Sequence, residues 1–198
     1  NYVGNVDWVM SDITVTTSAD QTPVAPGKVV SDRIEGDRRV VRFQSTNPIL
    51  GFFSIQSAGY SASKRRHDGI ELEIYHHPTH AFNSERMLDA MAVSLDYFQK
   101  NFGPYQFDYA RIIEFPGYAS FAQAFAGTVP YSERIGFIAN AADGNDIDYV
   151  TYVTAHEYGH QYWAHQLISA YMQGGTMLVE TMAQYSALMV MKQMYGEE

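Results

Sequence analysis

Hydropathy along this 198-residue chain changes period once, between about Tyr75 and Ala81. Upstream, alternating or β-branched runs such as Ile13-Thr14-Val15-Thr16-Thr17, Val40-Val41-Arg42-Phe43 and Ile70-Glu71-Leu72-Glu73-Ile74-Tyr75 are separated by Pro26-Gly27, Glu35-Gly36-Asp37, Asn47-Pro48 and His67-Asp68-Gly69. Period-two runs between turn residues predict strands. Downstream, Met87, Met91, Leu95, Phe98 and Phe102 recur at three- and four-residue steps behind an Asn83 cap and stop at Gly103-Pro104, which predicts an amphipathic helix. Further strands are expected at Arg111 to Phe115 and Gly136 to Ala139, and helices at about Asp148 to Gln166 and Thr176 to Tyr195. The last helix is apolar on nearly every side and is expected to be buried. The chain therefore reads as α+β, with a β-rich part over 1–77 and a mixed, helix-bearing part over 78–198.

The residues that carry chemistry are His156-Glu157-Tyr158-Gly159-His160. Two histidines four apart stand one turn above each other on a helix, so their ring nitrogens can converge on one ion, while Glu157 beside them can reach a water on that ion. The chain has no cysteine, which excludes thiolate nucleophiles and Cys-type zinc sites, so a third ligand must be another His or a carboxylate. Glu180 is the only carboxylate between His160 and Glu197, and a loop through Gly174-Gly175 could fold its helix back onto the first. His165 fails as the third ligand, since five residues turn it about 140° away from His160. The expectation is one Zn2+ per chain held by His156, His160 and Glu180, with Glu157 as general base.

These residues resemble the gluzincin zinc peptidases, and the surroundings resemble the membrane alanyl aminopeptidase family. Gln161-Tyr162-Trp163 is similar to the family's Gln-Trp-Phe after the second histidine, and Tyr131-Ser132-Glu133-Arg134-Ile135-Gly136 stands where the family has Gly-Ala-Met-Glu-Asn-x-Gly-Leu. Of that motif Glu133 and Gly136 match. The spacing from His160 to Glu180 is one residue longer than is usual in the family. The closest resemblance is to bacterial aminopeptidase-like domains joined to transporter permeases, through the run from Ala155 to Met189. The resemblance implies the end of a β-saddle domain followed by the zinc-bearing first lobe of a thermolysin-like domain, in a membrane-associated parent protein. It also implies that Glu133 binds the free amino group of a peptide substrate, and that a catalytic Tyr lies beyond this sequence. An opening at Asn1-Tyr2-Val3-Gly4 and an ending at Gly196-Glu197-Glu198 after a helix-like run agree with a piece of a longer chain.

Thirteen basic against 22 acidic residues give a net charge of -9, which argues against nucleic acid as a partner. The apolar stretch from Met177 to Met191 is interrupted by Glu180, Gln184 and Ser186, so no membrane span is expected. His76, His77 and His80 have no carboxylate beside them in sequence and read as a boundary turn. Phe115 to Tyr131 reads equally as a groove lining or a packed loop, and Gln184 equally as a hydrogen-bond partner of a ligand or a helix-contact amide. The leading expectation is an aminopeptidase. A thermolysin-type endopeptidase and a peptide-binding regulatory module without turnover are the alternatives.

Overall fold

The computed structural model describes residues 7–141, 147–170 and 172–196, so the terminal residues 1–6 and 197–198 used above lie outside the described part. Among the described residues the chain is mixed α and β, with four sheets and three α-helices. Strands β1 (Trp8–Val9) and β6 (Ile49–Leu50) pair, as do β3 (Thr22–Val24) and β7 (Gln56–Ala58). Strands β2 (Asp12–Ser18), β4 (Lys28–Glu35) and β5 (Arg38–Gln44) form an antiparallel sheet in the order β2-β5-β4, over a small core of Ala25, Val41 and Phe43.

The larger sheet runs β11-β10-β9-β8. β8 (Ser61–His67) and β9 (Ile70–His76) form a hairpin across Asp68-Gly69, both with positive φ, as a tight primed turn requires. β9, β10 (Tyr109–Phe115) and β11 (Thr128–Ser132) are mutually parallel. A parallel pair needs a crossover, and α1 (Ser84–Phe102) supplies it, burying Met87, Met91, Leu95 and Phe98, the stripe read from the sequence. The period changes where β9 hands over to α1, but the sheet itself takes two strands from each side of residue 77.

Arg111 and Glu73 form a buried ion pair (2.6 Å) within this sheet. The Arg111 guanidinium also donates to the Gly27 carbonyl (2.9 Å) and stacks over Tyr109. The Tyr109 hydroxyl accepts from the Gly27 amide, which ties the first half of the chain to the second.

Four local expectations are corrected. Gly136 to Ala139 is a turn and loop, not a strand; the Asn83 side chain does not cap α1 but donates to the carbonyls of Gly136 (2.7 Å) and Ala139 (2.9 Å), holding that loop open. Thr128–Ser132, in the stretch left open between groove lining and packed loop, is an edge strand; Pro130 is tolerated because it turns its carbonyl outward to the Gln123 amide, and its nitrogen, on the same side, owes no hydrogen bond to β10. Helix α2 (Tyr149–Gly159), capped by Asp148 through the Thr151 amide, ends seven residues before the expected Gln166. Beyond it the hydrogen bonds shift to three- and five-residue steps, as in Tyr162 to Gly159 and His165 to His160. Finally, α3 (Gly175–Tyr195) is buried at Gly175, Ala183, Ser186, Ala187 and Val190, while Met177, Leu178, Tyr185 and Leu188 are exposed, because the described residues cover just the side that faces α2 and α1. No helix among the described residues is long and apolar enough to cross a membrane.

Candidate metal centre

The centre lies where α2 and α3 pass closest. Gly159 has no Cβ, and one built there would stand 3.1 Å from the Ala183 Cα, so the pairing of Gly159 with a small residue is what lets the two backbones meet. Gly159 adjoins His160, and Ala183 follows Glu180 by one helical turn. The contact therefore sets the third candidate ligand opposite the first two. Gly174, in the left-handed region at φ 91°, starts α3 in the required direction.

The three donor atoms form a nearly equilateral triangle. His156 Nε2 and His160 Nε2 are 3.2 Å apart, and Glu180 Oε2 is 3.5 Å from the first and 3.4 Å from the second. Ligands 2.0–2.1 Å from a tetrahedral ion are separated by about 3.3–3.4 Å, so this triangle is the base of such a site. His156, His160 and Glu180 could hold a metal ion. His160 Nδ1 faces the Trp163 carbonyl at 3.2 Å; a carbonyl only accepts, so Nδ1 carries the proton and the Nε2 lone pair faces the site. Trp163 is itself held by a hydrogen bond from its indole N–H to Ser186 of α3 (2.9 Å). His156 Nδ1 is buried without a partner.

Two of the three candidate ligands, His156 and Glu180, are shifted toward the unprotonated form that a metal requires. Burial, reinforced by neighbouring His160, lowers the His156 pKa to about 4, so this ring is neutral near pH 7. Burial is the largest single influence on His160 and opposes its charge, but Glu180, Glu157 and the Trp163 carbonyl together outweigh it and the net shift is upward. The hydrogen bond with His160 lowers the Glu180 carboxyl. Glu157 is buried, and desolvation raises its pKa to about 7, with Glu180 adding to the rise while His160 and a backbone hydrogen bond from Ala124 oppose it. A carboxylate balanced near neutrality can both take and return a proton.

Glu133 is not brought to this triangle. Its carboxylate accepts from the Gly117 amide (2.7 Å) beyond the end of β11, and its other oxygen lies 3.9 Å from His80 Nδ1. His80 in turn hydrogen-bonds Glu114, whose second oxygen accepts from the His77 amide at 2.5 Å. His80 thus has two carboxylates beside it, which corrects its reading as a histidine without acidic neighbours; both are far away in sequence and arrive through β10 and the end of β11. Gln184 is exposed on α3 rather than a buried helix-contact amide, and it is Tyr152 that packs by the His156 ring.

The stretch from Phe115 to Tyr131 contains both kinds of structure that its sequence left open. Tyr118 and Phe121 are exposed, whereas Ala124, Ala126 and β11 are buried. Sequence reasoning missed the part that Gln161 and His165 play in binding this stretch to the metal helix. Their signal was two polar side chains, Gln161 and His165, set among the apolar Tyr162, Trp163 and Ala164 just past the second histidine, where buried polar groups need partners. No protein-family model matches the chain, and none of the curated proteins matches it.

Proposed function

We propose that this chain is the catalytic part of a zinc-dependent peptidase, with His156, His160 and Glu180 holding the ion and Glu157 as general base. The observation that supports this most is the triangle of 3.2–3.5 Å between three aimed donor atoms, with a buried carboxylate beside it. Two His nitrogens and one carboxylate oxygen form a donor set typical of catalytic zinc, which leaves a fourth position open. When bound there, zinc supplies Lewis acidity and makes a coordinated water acidic near pH 7. Glu157 accepts a proton at its carboxylate and passes it to the leaving amine, and its raised pKa suits both halves of that task.

The resemblance to the gluzincins, and within them to the alanyl aminopeptidases, is part of the same proposal. A crossed-over parallel sheet next to two ligand-bearing helices fits the zinc-bearing lobe, and the small sheets before it fit the end of a saddle domain. The substrate is then a peptide. Its free amino terminus would need an anionic anchor, and Glu133 is engaged with Gly117 beside His80 instead. With one oxygen bonded to a backbone amide and His80 beside the other, Glu133 is a weakened anchor for a substrate amine, and on that ground the endopeptidase alternative is favoured over the aminopeptidase one.

The test uses zinc-loaded protein with a pair of internally quenched peptides, one with a free amino terminus and one acetylated. Cleavage of both peptides is the expected result, and Glu157→Gln should keep its zinc yet cleave about 10²–10⁴-fold more slowly. No cleavage by protein carrying one zinc per chain would leave the non-catalytic module as the reading. Unchanged cleavage by Glu157→Gln would remove the base from its role.

A further inference from the structure

Hydrogen bonds run in series from one candidate ligand to the helix that carries another. His160 Nδ1 donates to the Trp163 carbonyl (3.2 Å), the Trp163 indole N–H donates to Ser186 Oγ (2.9 Å), and Ser186 Oγ donates to the Met182 carbonyl (2.7 Å). Ser186 is fully buried, and Trp163 is half-buried with its indole against Phe102 of α1, ring centroids 4.9 Å apart. The Trp163 amide donates to the Gly159 carbonyl (3.0 Å), so its backbone still belongs to the turn that ends α2. Trp163 is thus held by α2 through its main chain, and by α1 and α3 through its side chain.

Along α3 the order is Glu180, Ala183, Ser186, at three-residue steps. Ala183 is where α3 meets Gly159, and two residues this small set the distance between the helices without interlocking side chains that would stop them rocking about the contact. Glu180 and Ser186 then lie on opposite arms of a lever, each about 4.5 Å along the axis from the pivot. A movement of Ser186 against α2 is answered by one of similar size at Glu180, and metal ligands tolerate only about 0.2 Å. The side-chain bond from Tyr195 to Asp148 also ties α3 to α2 (2.6 Å), but it is exposed and water competes for it, whereas the Ser186 hydroxyl is shielded.

We infer that Trp163 and Ser186 are positioning residues: their hydrogen bond is a latch that stops α3 rocking on Ala183 and so keeps the Glu180 carboxylate at its corner of the triangle. This rests on the reading of His156, His160 and Glu180 as a metal site.

The experiment measures zinc affinity by competition with a chromophoric chelator for the parent, Ser186→Ala, Trp163→Phe and the double variant, and for each single variant in a Glu180→Ala background. Trp163→Phe keeps the carbonyl that holds His160 and removes only the indole side of the chain. Each single variant should weaken zinc binding about 10–100-fold, the range for outer hydrogen bonds of metal sites, and the double variant no more than either alone. In the Glu180→Ala background neither should change affinity by more than about twofold, because the latch acts through Glu180. General loosening of the fold would weaken zinc binding equally in both backgrounds. If one variant does not fold, the other decides in the two backgrounds. Unchanged affinity in the variants, or an equal loss with and without Glu180, overturns the latch while the metal centre stands. A parent that binds no zinc overturns the metal centre, and the latch with it.

Discussion

Two clusters in this molecule are built from the same chemistry, histidine and glutamate, and differ in how their lone pairs are used. At His156, His160 and Glu180 the donor atoms converge at 3.2–3.5 Å, and the one proton His160 needs elsewhere goes to the Trp163 carbonyl. At His80, Glu114 and Glu133 the carboxylates are already occupied by the amides of His77 and Gly117, and His80 hydrogen-bonds Glu114 directly. The first cluster has acceptor capacity left over. The second has used most of it on the protein, and it works as a knot between the loop after β9 and the ends of β10 and β11. What separates a metal site from a structural ion pair is therefore unspent donor capacity more than residue type.

The largest effect should come from breaking the first cluster. His160→Ala should reduce zinc from about one per chain to near zero, while His80→Ala leaves it near one. Elemental analysis after dialysis checks both, and equal zinc loss in the two variants would erase the contrast. Next comes pH. In metal-free protein the Glu157 carboxyl titrates at about 7 rather than at its ordinary value near 4.5, so the folded state holds a proton that the unfolded state has released. Stability from this group is complete below pH 4.5 and is lost as pH rises to about 7, by roughly 3 kcal/mol at most. Denaturation midpoints across this range should fall more in the parent than in Glu157→Gln, and parallel curves would contradict the shift.

Smaller effects sharpen the second cluster. Glu114→Gln weakens the bonds to His77 and His80 and should cost about 1–3 kcal/mol without changing zinc content, as urea unfolding and elemental analysis can show. A third group, His67 with Asp68 and Asp96, also has possible ligands close together but lies at the surface. His67→Ala should move stability by no more than about 0.5 kcal/mol and leave zinc unchanged.

The parts legible in the sequence were those whose signal is local. The α1 stripe, the Asp68-Gly69 turn and the four-residue spacing of His156 and His160 each depend on residues within a turn or two, and each is found where expected. Glu180 was legible by elimination, as the single carboxylate available on the following helix. What was hidden depends on partners that arrive from far away. Strand β11 was not read from the sequence, because the edge position that lets Pro130 turn its nitrogen away from β10 is set by pairing with distant residues. Helix α2 ends early because Gln161, Trp163 and His165 are each engaged with another segment, namely the hairpin at 125–128, Ser186 and Ala124. The hold of Glu133 on the Gly117 amide likewise joins residues from two segments, and its motif position does not reveal it.

The sheet that crosses residue 77 decides how this protein can be cut. A piece beginning at residue 78 would keep every candidate ligand but lose β8 and β9, half the strands of the sheet on which α1 packs. It would expose one edge of β10 and leave Arg111 buried without Glu73, and removing one partner of a buried ion pair costs about 3–5 kcal/mol. A piece beginning at Ser61 keeps the four strands and that pair, giving up the Gly27 and Ala25 carbonyls that also accept from Arg111, the Gly27–Tyr109 and Tyr60–Glu114 hydrogen bonds and the core contact of Ile49. The unit that could be transplanted or inherited with its candidate metal ligands therefore starts at the β8–β9 hairpin, some way ahead of the point where the hydropathy pattern changes.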